Sequence, residues 1–230
     1  FAINSLSDVD YVRQTFNIDF YLRTSWRISQ KEMAEILPDG TQIEDGMVVK
    51  EELLKWVPKH DFTNNRTLEV KGGEDNFHRP IYTYDKGFMK MDMRFYGTFN
   101  TLMDLRKFPF DKQTLRIKLE DFNHSVEDLI YEFTPQSIEG QPNYEKVKSW
   151  DVRKEDVLET ESLEFSEFKL YPKIQVRTDL HKYEYYDNEV FHQFIIELDI
   201  SRHTGFYLTK VISILIFIVL SAWSVFFVSP

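Results

Sequence analysis

Apolar and polar residues alternate with a period of two through much of residues 1–202. Phe16, Ile18, Phe20 and Leu22 alternate with Asn17, Asp19 and Tyr21. Met89, Met91, Met93 and Phe95 alternate with Lys90, Asp92 and Arg94, and Leu115, Ile117 and Leu119 with Arg116, Lys118 and Glu120. Ile174 and Val176, then Ile196, Leu198 and Ile200, keep the same spacing. Successive side chains of a strand point to opposite faces, so these runs predict half-buried antiparallel strands. Turn-forming residues separate them: Pro38-Asp39-Gly40, Gly72-Gly73, Lys86-Gly87, Glu139-Gly140 and Asp187-Asn188. A short helix is expected near residues 50–54, and the acidic stretch 154–167 reads as a solvated loop or edge. Together these predict a mainly β fold, an immunoglobulin-like antiparallel β-sandwich over residues 1–202.

The pattern changes at the C-terminus. Residues 211–228 carry no charge and as a helix reach roughly 27 Å, close to the thickness of a bilayer core. The run is apolar all round, which favours a transmembrane helix over a buried core helix. The expected division is therefore a sandwich domain, 1–202, and a first transmembrane helix, 203–230. Trp223 and Tyr207 are placed to mark its interfaces.

Composition narrows the function. The 230 residues hold 28 basic and 38 acidic side chains, a net charge of −10, with 16% aromatics and no cysteine. Such a chain repels nucleic acid and suits cations and amines. Disulfides, thiolate nucleophiles and Cys-ligated zinc are excluded. Protease, hydrolase, P-loop and dinucleotide motifs are absent, and the histidines at 60, 78, 124, 181, 192 and 203 show no metal-ligand spacing. No enzymatic activity and no cofactor are expected. The acidic balance leaves Ca²⁺ as a candidate modulator, and a change of charge on His181, His192 or His203 near neutrality would make the protein pH-sensitive.

Some residues do not fit their strand faces. Tyr21 shares a face with Asp19 and Arg23, and Phe122 has the parity of Lys118 and Glu120. An aromatic beside a carboxylate on an outward face is either a surface aromatic or part of a cation site. Four more aromatics lie between Tyr183 and Phe191, around an expected turn. Arg202 has the parity of Ile196, Leu198 and Ile200 just before the apolar run, so it either has a partner or snorkels to an interface.

Residues 101–115, TLMDLRKFPFDKQTL, resemble the signature loop of the Cys-loop receptor superfamily, the pentameric ligand-gated ion channels. Thr101 and Leu115 stand at the two cysteine positions, as in bacterial members. The resemblance extends to Ile3-Asn4-Ser5-Leu6, to Tyr21-Leu22-Arg23 with Trp26, and to Trp56-Val57-Pro58 with Phe62 and Asn64, where Lys59 replaces the usual Asp. It continues in Leu119-Glu120-Asp121-Phe122 and in Arg202 with Gly205-Phe206-Tyr207-Leu208. Ile214 replaces a common proline, so a straighter helix is expected.

The resemblance implies an agonist pocket between the subunits of a homopentamer. Its principal face would carry Asp61, Thr63, Glu120, Phe122, Tyr183, Tyr186 and Phe191. Its complementary face would carry Tyr21, Arg23, Asp92 and Arg94. The gating interface would be Asp8, Asp10, Phe108, Pro109, Phe110, Asp111 and Arg202, with Asp111, Asp8 or Asp10 pairing with Arg202. An aromatic cage with carboxylates implies a protonated amine as agonist, or the proton itself, opening a cation-selective pore whose helices lie outside this sequence. The other partner is membrane lipid, with the sandwich extracellular or periplasmic in a multi-pass protein. The competing readings are a membrane-anchored, non-channel module that binds small amines, and a tail-anchored cytoplasmic protein.

Overall fold

A computed structural model describes residues 1–37, 42–71, 80–132, 149–151, 168–184, 189–224 and 226. Its strands are β1 (Ala2–Asp10), β2 (Thr15–Arg27), β3 (Met47–Val49), β4 (Asp61–Phe62), β5 (Asn65–Lys71), β6 (Ile81–Asp85), β7 (Phe88–Asn100), β8 (Lys112–Glu120), β9 (Ser149–Asp151), β10 (Phe168–Lys182) and β11 (Val190–Arg202). They form two antiparallel sheets. The first has the order β1-β2-β7-β6-β3, with β5 also paired to β7, and the second β4-β8-β11-β10-β9.

Every period-two run becomes a strand, and its apolar parity becomes the core. Phe16, Phe20, Phe95 and Phe99 from the first sheet meet Phe62, Leu115, Ile117, Leu119, Ile196 and Leu198 from the second. Phe62 sits edge-on to Phe95 at 4.9 Å and to Phe20 and Phe99 at 5.7 Å. Aromatic pairs of this geometry each contribute about 0.5–1.5 kcal/mol beyond area burial.

The methionine stripe builds a second, smaller core. Met89 and Met91 of β7 pack with Tyr82 and Tyr84 of β6, Val49 of β3 and Met33. Met33 comes from a helix absent from the sequence expectation, α1 (Gln30–Ile36). Its signal was a capping box: Ser29 Oγ accepts from the Glu32 N–H, and Glu32 Oε2 accepts from the Ser29 N–H. The helix expected near residues 50–54 is a single 3-10 turn, Glu51–Leu53.

Of the five turn signals, Lys86-Gly87 lies in the described residues. Both residues have positive φ, 50° and 83°, as a two-residue hairpin of type I′ requires. The signals at 38–40, 72–73, 139–140 and 187–188 lie outside the described residues, as does the acidic stretch 154–167.

The chain leaves the sandwich at Arg202 and turns helical: α2 (Thr204–Tyr207), a π-helical stretch Leu208–Ile212, and α3 (Ser213–Ser224). Among the described residues no helix is long and apolar enough to cross a membrane. The interruption lies upstream of Ile214, so the missing proline does not leave a regular helix. Hydroxyls of Thr209 and Ser213 bond back to the carbonyls of Gly205 and Thr209, a pattern that loosens a helical ladder. The apolar side chains of α3, from Ile214 to Leu220 and at Trp223, are exposed.

Candidate functional site

Strand register gathers one group of expected residues on the outward face of the second sheet. Glu120 on β8 faces Asp61 on β4, and His181 on β10 faces Phe191 on β11. Phe122 follows β8 with the same parity as Glu120, and Tyr183 follows β10 with that of His181. The rings of Phe122, Tyr183 and Phe191 therefore form a triangle with centroid separations of 5.5, 5.8 and 5.9 Å. Phe191 is buried beneath, while Phe122 and Tyr183 are half-buried.

Glu120 corrects the sequence picture. It has the outward parity, yet its side chain is 0% exposed. The end of the β10–β11 hairpin folds over it. Tyr183 Oη donates to Oε2 at 2.8 Å, His181 Nδ1 lies 3.1 Å from Oε1, and Gln193 Nε2 donates to Oε1. Binary patterning does not foresee this, because the covering residues come from another strand pair. Gln193 was missed, and the sequence reading treated His181 only as a pH-sensitive group. Their signal was parity: both share the outward face of the hairpin with Phe191.

The backbone under Phe122 is held from below. Buried Asp121 accepts from the N–H groups of Lys59 and Asn123, both at 2.8 Å, and lies 3.0 Å from His124 Nδ1. Trp56 Nε1 donates to His124 Nε2, so the segment before β4 is tied to the segment after β8. Asp61 Oδ2 reaches the Phe122 N–H at 3.5 Å, the limit of a hydrogen bond. Thr63 is exposed, and its N–H donates to the Lys118 carbonyl. Tyr186 lies outside the described residues.

A second group sits on the outward face of the first sheet, on the other side of the sandwich. Arg23 forks onto Asp92 at 2.5 and 3.0 Å, and Arg94 onto Asp19 at 2.9 and 2.7 Å. Burial pushes the Asp19 carboxyl up, but the bonds from Arg94 and Asn4 outweigh it and hold the group below the usual carboxylate range. The Arg94 guanidinium also lies over the Tyr21 ring at 5.3 Å. Both arginines are thus committed to carboxylates of their own sheet. Asp19 was read as a neighbour of Tyr21, not as a buried counter-ion.

A third group lies where the helical run begins. Of the three acids offered for Arg202, Asp111 is the partner: Nε and Nη2 reach its two oxygens at 2.8 and 3.2 Å, with side-chain exposures of 0% and 1%. Burial raises the Asp111 carboxyl, and the bonds from Arg202 and Gln113 more than reverse this, leaving it below the carboxylate range. The guanidinium lies 4.5–5.3 Å from the ring centroids of Phe168, Phe108, Tyr11 and Tyr207 and donates to Tyr207 Oη. Asp8 instead bonds Ser7 and Asn17. Asp10 closes the β1–β2 turn by accepting from the N–H groups of Val12 and Arg13, so its carboxylate serves the turn backbone. Phe108 packs on Tyr207 at 4.8 Å, Phe110 is exposed, and Pro109 between them follows a cis peptide bond.

The loop of 101–115 closes without a disulfide. Thr101 Oγ1 donates to the Thr114 carbonyl at 3.1 Å. Buried Gln113 donates to the Asp104 carbonyl and Asp111 Oδ2 and accepts from the Asp104 N–H, at 2.7–2.9 Å. One amide side chain thus fastens both ends of the Asp104–Asp111 segment. Among the described residues no group of three or more His, Cys, Asp or Glu side chains is placed to hold a metal ion.

Comparison with known proteins agrees with this anatomy. The chain is 24% identical over 240 residues to the glycine receptor subunit beta of Homo sapiens, covering 99% of this chain and 41% of that protein. It is 20% identical over 209 residues to the probable ligand-gated ion channel 46 of Caenorhabditis elegans, covering 90% of this chain and 36% of that protein. To the gamma-aminobutyric acid receptor subunit beta-4 of Gallus gallus it is 26% identical over 130 residues, 56% of this chain and 25% of that protein. The chain thus spans roughly two-fifths or less of the length of these relatives. Residues 1–204 match the neurotransmitter-gated ion-channel ligand binding domain. With two antiparallel sheets, a ring triangle at one hairpin end and a buried Asp–Arg pair at the other, this chain belongs to the neurotransmitter-gated ion-channel ligand-binding domain family.

Proposed function

We propose that the chain is the ligand-binding part of a bacterial-type, homopentameric ligand-gated channel subunit. In this reading a protonated amine binds between neighbouring copies. Phe122, Tyr183 and Phe191, with Glu120, Asp61 and Thr63 around them, form one wall, to which Tyr186 is assigned from the sequence alone, and Tyr21 with its ion-paired neighbours Arg23, Asp92 and Arg94 forms the other. The observation that carries this is the arrangement of the two half-sites. They occupy opposite outward faces of one sandwich, so a single copy cannot bring them together and a second copy can. Because Arg23 and Arg94 are neutralised within their sheet, the ring faces are left to attract a cation.

The remainder of the reading follows the chain. The uncharged helical stretch within 203–230 spans the membrane in the intact protein, with the sandwich outside. The Asp111–Arg202 pair joins the sandwich to that helix, so hairpin movement at the amine site biases a resting–open equilibrium. The net charge of −10 favours cations near the outer mouth.

The test is electrical. The full-length protein in a membrane should pass current when propylamine is applied, and Phe122→Ala should weaken apparent affinity about tenfold or more, the range of a lost cation–π contact. Current evoked by pH steps alone would replace the amine with the proton as agonist. Silence under all conditions, with surface expression confirmed, would overturn the channel and leave a membrane-anchored amine-binding module.

A further inference from the structure

A carboxylate accepts about four hydrogen bonds in its plane, and three donors already occupy Glu120. Gln193 is buried with it, and Tyr183 is half-buried. His181 is different: its side chain is 47% exposed, so it is the donor whose departure would open Glu120 to the surface. With a carboxylate at Nδ1, that nitrogen carries the proton and the second ring nitrogen is left to accept another. A neutral imidazole gives Glu120 an ordinary hydrogen bond, whereas an imidazolium gives it a charge-assisted one, roughly twice as strong.

We propose that His181 is a proton-operated guard on Glu120. Protonated, it holds the carboxylate and excludes an incoming ammonium; neutral, it yields the position. This deepens the amine-binding reading and rests on it. Among the described residues, Glu120 is the carboxylate that meets the imidazole. Glu120 faces it from β8, with Asp61 beyond on β4. Phe191 is its register partner on β11, and Gln193 lies next on the same face. On its own strand Asp179 and Lys182 are exposed, and the Tyr183 ring lies 4.2 Å away. His192 lies on the opposite parity of β11, against Tyr131.

Two measurements on the full-length protein test the guard. The first is the apparent affinity for propylamine, which stays protonated throughout, at pH 5.5 and 8.0. Wild type should bind about fivefold or more weakly at pH 5.5, the ratio expected where a charge-assisted bond competes with the ammonium. His181→Gln, which keeps a donor but cannot titrate, should bind equally at both. A pH effect that survives in His181→Gln, or a flat wild type, overturns the proposal. The second needs no ligand: hydrogen exchange of the amides of residues 179–183, corrected for intrinsic rate. Protection should rise several-fold from pH 8.0 to 5.5 in wild type and not in His181→Gln or Glu120→Gln. Equal behaviour of the three proteins overturns the guard even if propylamine binds. The expected exchange pattern with no response to propylamine would support the latch and sink the amine reading instead.

Discussion

Arg202 and Asp111 meet with both side chains shut off from water, and that single contact has energetic and functional consequences. Two desolvated charges hold each other only while both are present. Removing one leaves the other buried and unpaired, at a cost of about 3–5 kcal/mol. Arg202→Met should therefore lower the unfolding midpoint markedly. Replacing both, Arg202→Met with Asp111→Leu, should recover most of that loss, because an apolar pair also fills the space among Tyr11, Phe108, Phe168 and Tyr207. Denaturant unfolding of the three proteins measures this. A double variant no more stable than the single one would show that the pair is valued for more than cancelled charge. Under the channel reading the double variant still binds amine but gates poorly, since neither new side chain ties the loop of 101–115 to the helix.

Among the elements, β5 and β7 approach each other closely at Gly97. β5 carries a bulge between Asn65 and Thr67 as it pairs with β7. A Cβ on Gly97 would meet the Thr67 carbonyl oxygen at 2.3 Å and the Leu68 Cα at 3.3 Å. Backbone atoms cannot step aside as a flexible side chain can. Gly97→Ala should destabilise by about 1–3 kcal/mol, the usual cost of overpacking, with exchange of the β5 amides accelerating first; unchanged exchange there would count against this placement of the strain. Alternation and the turn pair Lys86-Gly87 made the long strands legible, because period two with one apolar face has few other solutions. The bulge, the order β1-β2-β7-β6-β3 and the double partnership of β7 were not legible. They depend on which strands close against one another across long stretches of chain.

At the scale of the whole molecule, acid weakens the sandwich in a definable interval. The His60 ring lies between Phe95 and Tyr131, and neither of its nitrogens meets a hydrogen-bond partner among the described residues. Burial pushes its pKa down to about 4, against a weaker pull upward from Asp121. An unfolded histidine takes its proton near pH 6.5. Between these values the unfolded chain binds more protons, so stability is complete above about pH 6.5 and falls as pH drops toward 4, by on the order of 3 kcal/mol. His60→Phe should flatten the unfolding midpoint across that interval; an unchanged slope would assign the acid sensitivity elsewhere. Below pH 4 the loss continues as Asp19 and Asp111, whose carboxyls are held low, are forced to take protons.

Local pattern was enough for much of this protein. Period-two alternation specified strands and their buried faces. The uncharged run after Lys210 marked where the strand pattern gives way to helix, and MDL, FPFD and Gln at their spacing pointed to the family. Each is a statement about residues close in sequence, where side-chain direction follows from backbone geometry alone. The fate of individual charged groups was a different matter. That Glu120 is covered, that Arg202 chooses Asp111 over Asp8 and Asp10, and that Arg23 and Arg94 are already paired all depend on strands brought together from tens of residues apart. A carboxylate's environment is set by what closes over it, and parity names the face of a strand but not what covers that face.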